Sequence, residues 1–194
     1  MEKTENFKTN LIDIEEIPIN DFSKLKELID KGRYGLGVNL SYIRHLKDIK
    51  EMFKFSDYIL IKLFRNFVYL LMLLAVTGAI IFSNYYLLIG IPLFLILKDS
   101  GIIDIWISIL ISAILLILIF VFNIDDSTFW ILLFGSALTY ISSKFSYQTF
   151  IKKMKEKSLK TEKNFCLSFQ MNFITITDVG NNEIYSIENN KKST

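Results

Sequence analysis

The stretch FRNFVYLLMLLAVTGAIIF, residues 64–82, decides the fold class. Its only strongly polar side chains, Arg65 and Asn66, stand at its start. At about 1.5 Å of rise per residue, a helix of this length matches a hydrocarbon layer about 30 Å thick. Upstream, Ser56 and Asp57 form a helix start, so the first membrane span is expected over residues 58–82.

Downstream, the apolar character returns three times. Residues 85–97 are apolar but short for a crossing and contain Gly90 and Pro92, candidates for a hinge or half-helix. Residues 102–122 form the clearest span, broken by Asp104 and otherwise polar only at Ser108 and Ser112. Residues 128–147 supply a fourth, closing in Ser142, Ser143 and Lys144. The expected fold class is an all-α transmembrane bundle of about four helices, residues 58–147, between cytoplasmic regions 1–57 and 148–194.

Charge follows the same division. Residues 66–143 hold one basic side chain, Lys98, and four acidic ones, whereas residues 144–163 hold seven basic against two acidic. Lys54, Lys62 and Arg65 stand before or at the start of the first span, and Lys144, Lys152, Lys153, Lys155 and Lys157 stand at the end of the last or beyond it. Basic flanks are retained in the cytoplasm. Both termini are therefore expected inside a multi-pass plasma-membrane protein, which requires an even number of crossings. The turns agree: Ser83-Asn84 is uncharged, residues 98–101 carry the one basic residue, and residues 123–127 carry two aspartates.

The flanking regions read as a small α+β cytoplasmic part. LIDIEEIPI, residues 11–19, alternates over Ile12 to Glu15 as an edge strand does, and Asn20 or Asp21 caps a short helix bearing Phe22, Leu25, Leu28 and Ile29. GRYGLG, residues 32–37, reads as a flexible connection. Residues 40–55 form an amphipathic helix whose Arg44, Lys47, Lys50 and Lys54 would contact anionic lipid or pack on the cytoplasmic part. Near the C-terminus, Phe165, Leu167, Phe169, Met171 and Phe173 alternate with polar residues as a strand. The turn DVGNN and residues 183–188 then complete a β-hairpin. A lone hairpin is marginal in water, so it requires the N-terminal segment or another subunit as partner.

Asp104 is a carboxylate in an apolar span, expensive unless it meets a partner or water, and Ser108 and Ser112 continue its face. That stripe reads as an ion path or helix interface; the plainer reading has Asp104 reach the headgroups or Lys98. Gly135, Ser136, Thr139, Ser142 and Ser143 form a small, hydroxylated strip suited to close helix approach, between subunits or within one chain. Lys152, Lys153, Lys155 and Lys157 mark an anionic surface rather than a nucleic-acid site. GRYGLG lacks the Lys-Ser/Thr ending of a phosphate loop.

Catalytic signatures are missing. One histidine, His45, and one cysteine, Cys166, make neither a metal site of the usual kind nor a disulfide. No cofactor or metal is expected, and an enzyme is disfavoured. The leading expectation is an oligomeric, gated ion-permeable channel or membrane-perturbing effector regulated through its cytoplasmic segments. The alternative is a non-conducting membrane anchor, immunity factor or accessory subunit holding a cytoplasmic protein partner.

Overall fold

Helix starts and stops along the chain are set by side-chain caps and left-handed residues, visible in a computed structural model that describes residues 7–45, 53–98, 113, 117 and 126–186. Asp21 accepts from the backbone N–H of Ser23 and Lys24 and opens α1, Phe22–Asp30. Gly32, at φ +72°, closes it, with the N–H of Arg33 donating to the carbonyl of Leu28 at 3.0 Å. Ser83 and Asn172 adopt the same left-handed backbone after α2, Phe55–Ile81, and α5, Glu162–Gln170. Between these lie α3, Gly90–Lys98, entered through a 3-10 turn at Tyr85–Ile89, and α4, Asp126–Ser158.

Contacts divide the chain into two units: Phe55–Phe150, and Met1–Lys54 together with Ile151–Thr194. The second is an α+β unit. Its sheet has the order β1-β2-β3, with β1 Tyr34–Val38, β2 Ile174–Asp178 and β3 Glu183–Tyr185, antiparallel throughout. Leu36 faces Ile176 and Tyr34 faces Asp178 in register. One sheet face joins α1 and α5 around a core that includes Leu11, Ile14, Leu25, Leu36, Phe165, Phe169, Ile174 and Ile176. Gln170 ties down the N-terminal segment, accepting from the Lys8 N–H at 2.9 Å and donating to its carbonyl at 2.6 Å.

Three local expectations for this unit are corrected. The strand expected over residues 165–173 is helix α5, because Thr161 caps it by accepting the Asn164 N–H. Phe165, Cys166, Ser168 and Phe169 then bury one helical face, while Met171 is exposed. The hairpin is therefore formed by residues 174–185. GRYGLG is no flexible connection: Tyr34 and Leu36 point into the core, and Gly35 and Gly37 lie beside Thr177 and Thr175 of the neighbouring strand. The hairpin thus has an N-terminal strand as its partner. Residues 11–19 form a 3-10 turn at Leu11–Asp13 and irregular chain, not an edge strand. Leu11, Ile14, Ile17 and Ile19 are buried, whereas Ile12 is 65% exposed, so core contact overrides the local alternation.

Of the amphipathic helix expected over residues 40–55, the structure describes a 3-10 segment, Leu40–His45, and the start of α2. In the helical unit, Val68, Ala75, Leu93, Phe94 and Leu97 form a core between α2 and α3. Among the described residues, α2 is the one helix long and apolar enough to cross a membrane. The second expected span corresponds to Tyr85–Lys98, an apolar helix of 10–17 residues and too short to qualify. Residues 102–122 lie outside the described residues except for positions 113 and 117. The fourth expected span is the first part of α4, which continues well past residue 147 to Ser158.

Candidate functional site

The polar side chains of α4 recur at helical spacing and are used to hold the other helices. Ser142 Oγ donates to the Phe64 carbonyl at 2.7 Å, Ser143 Oγ to the Lys98 carbonyl at 2.5 Å, and Ser146 Oγ to the Ile61 carbonyl at 3.2 Å. Far along the same helix, Thr128 Oγ1 accepts from Asn84 Nδ2 at 2.5 Å. These bonds set the directions of the helices. α2 runs antiparallel to α3 and α4, and α3 runs with α4. Lys98 therefore lies at the Phe64 end of the unit, and Thr128 at the Asn84 end.

The small residues admit close contact. Gly90 lies against Leu132: a Cβ there would stand 3.0 Å from Leu132 Cδ2. Gly135 receives the ring of Phe94, and a Cβ there would be 2.6 Å from Phe94 Cζ. Ser136 and Thr139 donate within their own helix, to the carbonyls of Leu132 and Gly135. The strip comprising Gly135, Ser136, Thr139 and Ser143 is thus brought into intrachain packing and bonding. Ser146 extends it, and its spacing of three from Ser143 is the signal that marks it.

Beside the serines, Arg65 and Lys98 line a small cavity with Phe64, Val68, Thr139 and Tyr147, of about 10 Å³. That is room for about one water molecule. Lys98 Nζ donates to the Tyr69 hydroxyl and stands 4.2 Å from the centre of its ring. Further toward the Asn84 end, an apolar groove of about 400 Å³ runs between the helices, lined by residues including Leu71, Ala75, Gly78, Phe94, Leu132 and Leu138. Sequence reasoning placed neither Arg65 nor Lys98 in a site, since each reads as a topology marker.

The other expected site residues fall elsewhere. Asp104, Ser108, Ser112, Lys47 and Lys50, and the side chain of Arg44, lie outside the described residues. Gly90 is helical, at φ −59° and ψ −29°, and Pro92 stands in the first turn of α3, where a missing N–H leaves no helix bond broken. Lys54 and Lys152 are exposed. Lys153, Lys155 and Lys157 are half-buried in the α+β unit, with Lys153 3.2 Å from Glu156.

No protein-family model, curated protein or solved structure matches the chain. Among the described residues, no three His, Cys, Asp or Glu side chains cluster as a metal site. In the α+β unit, burial pushes the Cys166 thiol up to about 11, with the Glu162 charge adding to the effect. Burial, then the charge and hydrogen bond of Asp178, raise the Tyr34 phenol. The Asp178 carboxylate itself accepts from the Gly180 and Asn181 N–H groups, organising the turn into β3. These are structural uses of polar groups.

Proposed function

We propose that the chain is a multi-pass membrane anchor whose helical unit, Phe55–Phe150, lies in the bilayer and presents the α+β unit to a cytoplasmic protein partner. The observation that carries this reading is the outward face of α2. Its most apolar stretch is only 17% buried, and Leu63, Leu70, Leu73, Leu74, Ile80 and Ile81 are each at least half exposed. The core helix of a water-soluble domain buries such residues; in water they would form a patch far beyond ordinary surface apolarity. Hydrocarbon accommodates them.

Helix directions support the expected topology. Lys98 and Thr128 stand at opposite ends of the unit, and the span expected from the sequence over residues 102–122 has a length that suits this placement. Lys62, Arg65, Lys98 and Lys144 share the Phe64 end, which the positive-inside rule assigns to the cytoplasm. The anchor is favoured over the channel because the hydroxyl strip of α4 is spent on intrachain bonds.

In a Cys166→Ser background, Ser83→Cys should react with a membrane-impermeant maleimide on intact cells, and Lys163→Cys only after permeabilisation. The reverse pattern would overturn the topology. Liposomes holding the purified protein should stay as ion-tight as empty ones. A flux changed by Asp104→Asn would instead establish the conducting reading.

A further inference from the structure

β1 is an outer strand of the sheet, and the alternation of its bonds fixes which of its residues face away from β2. Just beyond its two ends, the Val179 N–H donates to the Arg33 carbonyl at 3.0 Å and the Asn39 N–H to the Phe173 carbonyl at 2.9 Å. With Gly35 opposite Thr177 and Gly37 opposite Thr175, the odd-numbered residues therefore carry the ladder to β2. The backbone N–H and C=O groups of Tyr34, Leu36 and Val38 point the other way, and among the described residues no hydrogen bond receives them.

This edge lacks the devices that keep sheet edges unpaired, which are short length, charge and proline. At the opposite edge, β3 is three residues long and carries Glu183, whereas β1 runs over five residues, YGLGV, with neither a charge nor a proline. Gly35 is also not required by its own chain. A Cβ there would lie 3.7 Å from Thr177 Cβ, an ordinary contact, and its backbone is not left-handed. Glycine inside a strand marks places where another backbone comes close.

We infer that β1 is the joint of a homodimer, pairing antiparallel with β1 of a second copy to make one continuous sheet. The near-symmetry of the strand about Leu36 decides the occupant. A two-fold axis there sets Leu36 against Leu36 of the second copy and Tyr34 against Val38 of the second copy, each pair exchanging two N–H···O bonds. Tyrosine against valine is an aromatic and β-branched pair, a kind that stabilises antiparallel strands. Gly35 falls opposite Gly37 of the second copy, so no side chain stands between the two strands on the outer sheet face. Arg33 falls opposite Asn39, so no like charges meet. The joint uses the α+β unit alone and does not depend on where the helical unit lies.

Cross-linking reads this register directly. Arg33 and Asn39 of the second copy form a pair without hydrogen bonds, with Cα atoms about 4.5 Å apart. A disulfide spans about 4.4–6.8 Å between Cα atoms. Within one chain the two positions stand about 20 Å apart along the strand, out of reach of each other. The full chain, purified in a neutral detergent with Cys166→Ser, should have the mass of two copies. Arg33→Cys with Asn39→Cys should convert most of it to a covalent dimer on mild oxidation, and either substitution alone should not. Val38→Pro removes an N–H that faces away from β2, where an edge strand accepts proline, and should leave a single copy with unchanged circular dichroism.

A single copy of the unaltered chain would overturn the dimer and assign the edge to an extended segment of a different protein. Two copies that persist in Val38→Pro, with no cross-link in the double cysteine variant, would overturn it too and place the contact elsewhere. Cross-linking by the single variants as strong as by the pair would mean collision without register, and sinks the joint equally. Should Val38→Pro fail to fold, the cysteine pair still decides. Maleimide labelling of Ser83→Cys reports the membrane topology independently, so the failure of one reading leaves the other standing.

Discussion

The ring of Phe94 occupies the space that a side chain on Gly135 would need, with Cζ 2.6 Å from where its Cβ would stand. Both residues belong to the helical unit, and the contact joins α3 to α4. Gly135→Leu should therefore lower stability by about 1–3 kcal/mol through overpacking. Phe94→Leu in the same chain should recover part of the loss, with a coupling of about 1 kcal/mol in a double-mutant cycle. Thermal unfolding in detergent reads both, and strictly additive effects would count against the contact.

The α4 hydroxyls divide into two groups with different expected costs. Ser142→Ala and Ser143→Ala each remove a bond between helices and should cost about 0.6 kcal/mol, the scale measured for such bonds in membrane proteins. Ser136→Ala removes a bond within α4, to the Leu132 carbonyl, and should be close to neutral. The same melts rank the three. A larger loss for Ser136→Ala than for either of the others would contradict the assignment.

In the α+β unit, the buried Ser158 hydroxyl donates to Ser168 Oγ at 2.9 Å, and Ser168 in turn donates to the Asn164 carbonyl at 2.7 Å. The chain of bonds has a direction. Ser168→Ala strands the Ser158 donor in the core and should cost about 1–3 kcal/mol, while Ser158→Ala leaves Ser168 bonded and should cost about 1 kcal/mol. Urea titration should show the larger loss for Ser168→Ala.

Cys166 is fully buried and its thiol is raised to about 11 from an ordinary 9.0. Thiolate is the reactive form, so a thiol reagent at pH 8 should modify the folded chain far more slowly than the urea-unfolded one. The raised value means that the native state keeps its proton where the unfolded state loses it. Stability from this group is therefore full below pH 9 and is lost as pH rises toward about 11. Cys166→Ala should flatten that part of the stability profile, read by urea titration across the same pH range.

How far the fold was legible depends on whether the signal was local. The Asp21 cap was readable because it acts within a turn of its own residue. Residues 165–173 were misread because Phe165, Leu167 and Phe169 satisfy a period of two and, with Cys166 and Ser168, a helical face as well. Only the Thr161 cap decides between them locally. Tyr34, Leu36 and Val38 also alternate, yet the intervening glycines concealed a strand whose partner lies some 140 residues away along the chain. Of the candidate site, the α4 strip was visible as a pattern, but the destinations of its hydroxyls were not.

By itself the sequence determined that the chain carries apolar helical segments between two charged flanks, since hydropathy and cap chemistry act over a few residues. It likewise placed the basic residues at the segment ends, because charge is a property of position along the chain. Tertiary structure alone decided that Tyr34–Val38 pairs with Ile174–Asp178, that Gly135 makes room for Phe94, and that Arg65 and Lys98 line one small cavity with Ser142 and Ser143. Each joins residues far apart in the chain, where no local propensity acts and only mutual packing and hydrogen-bond satisfaction select the partner.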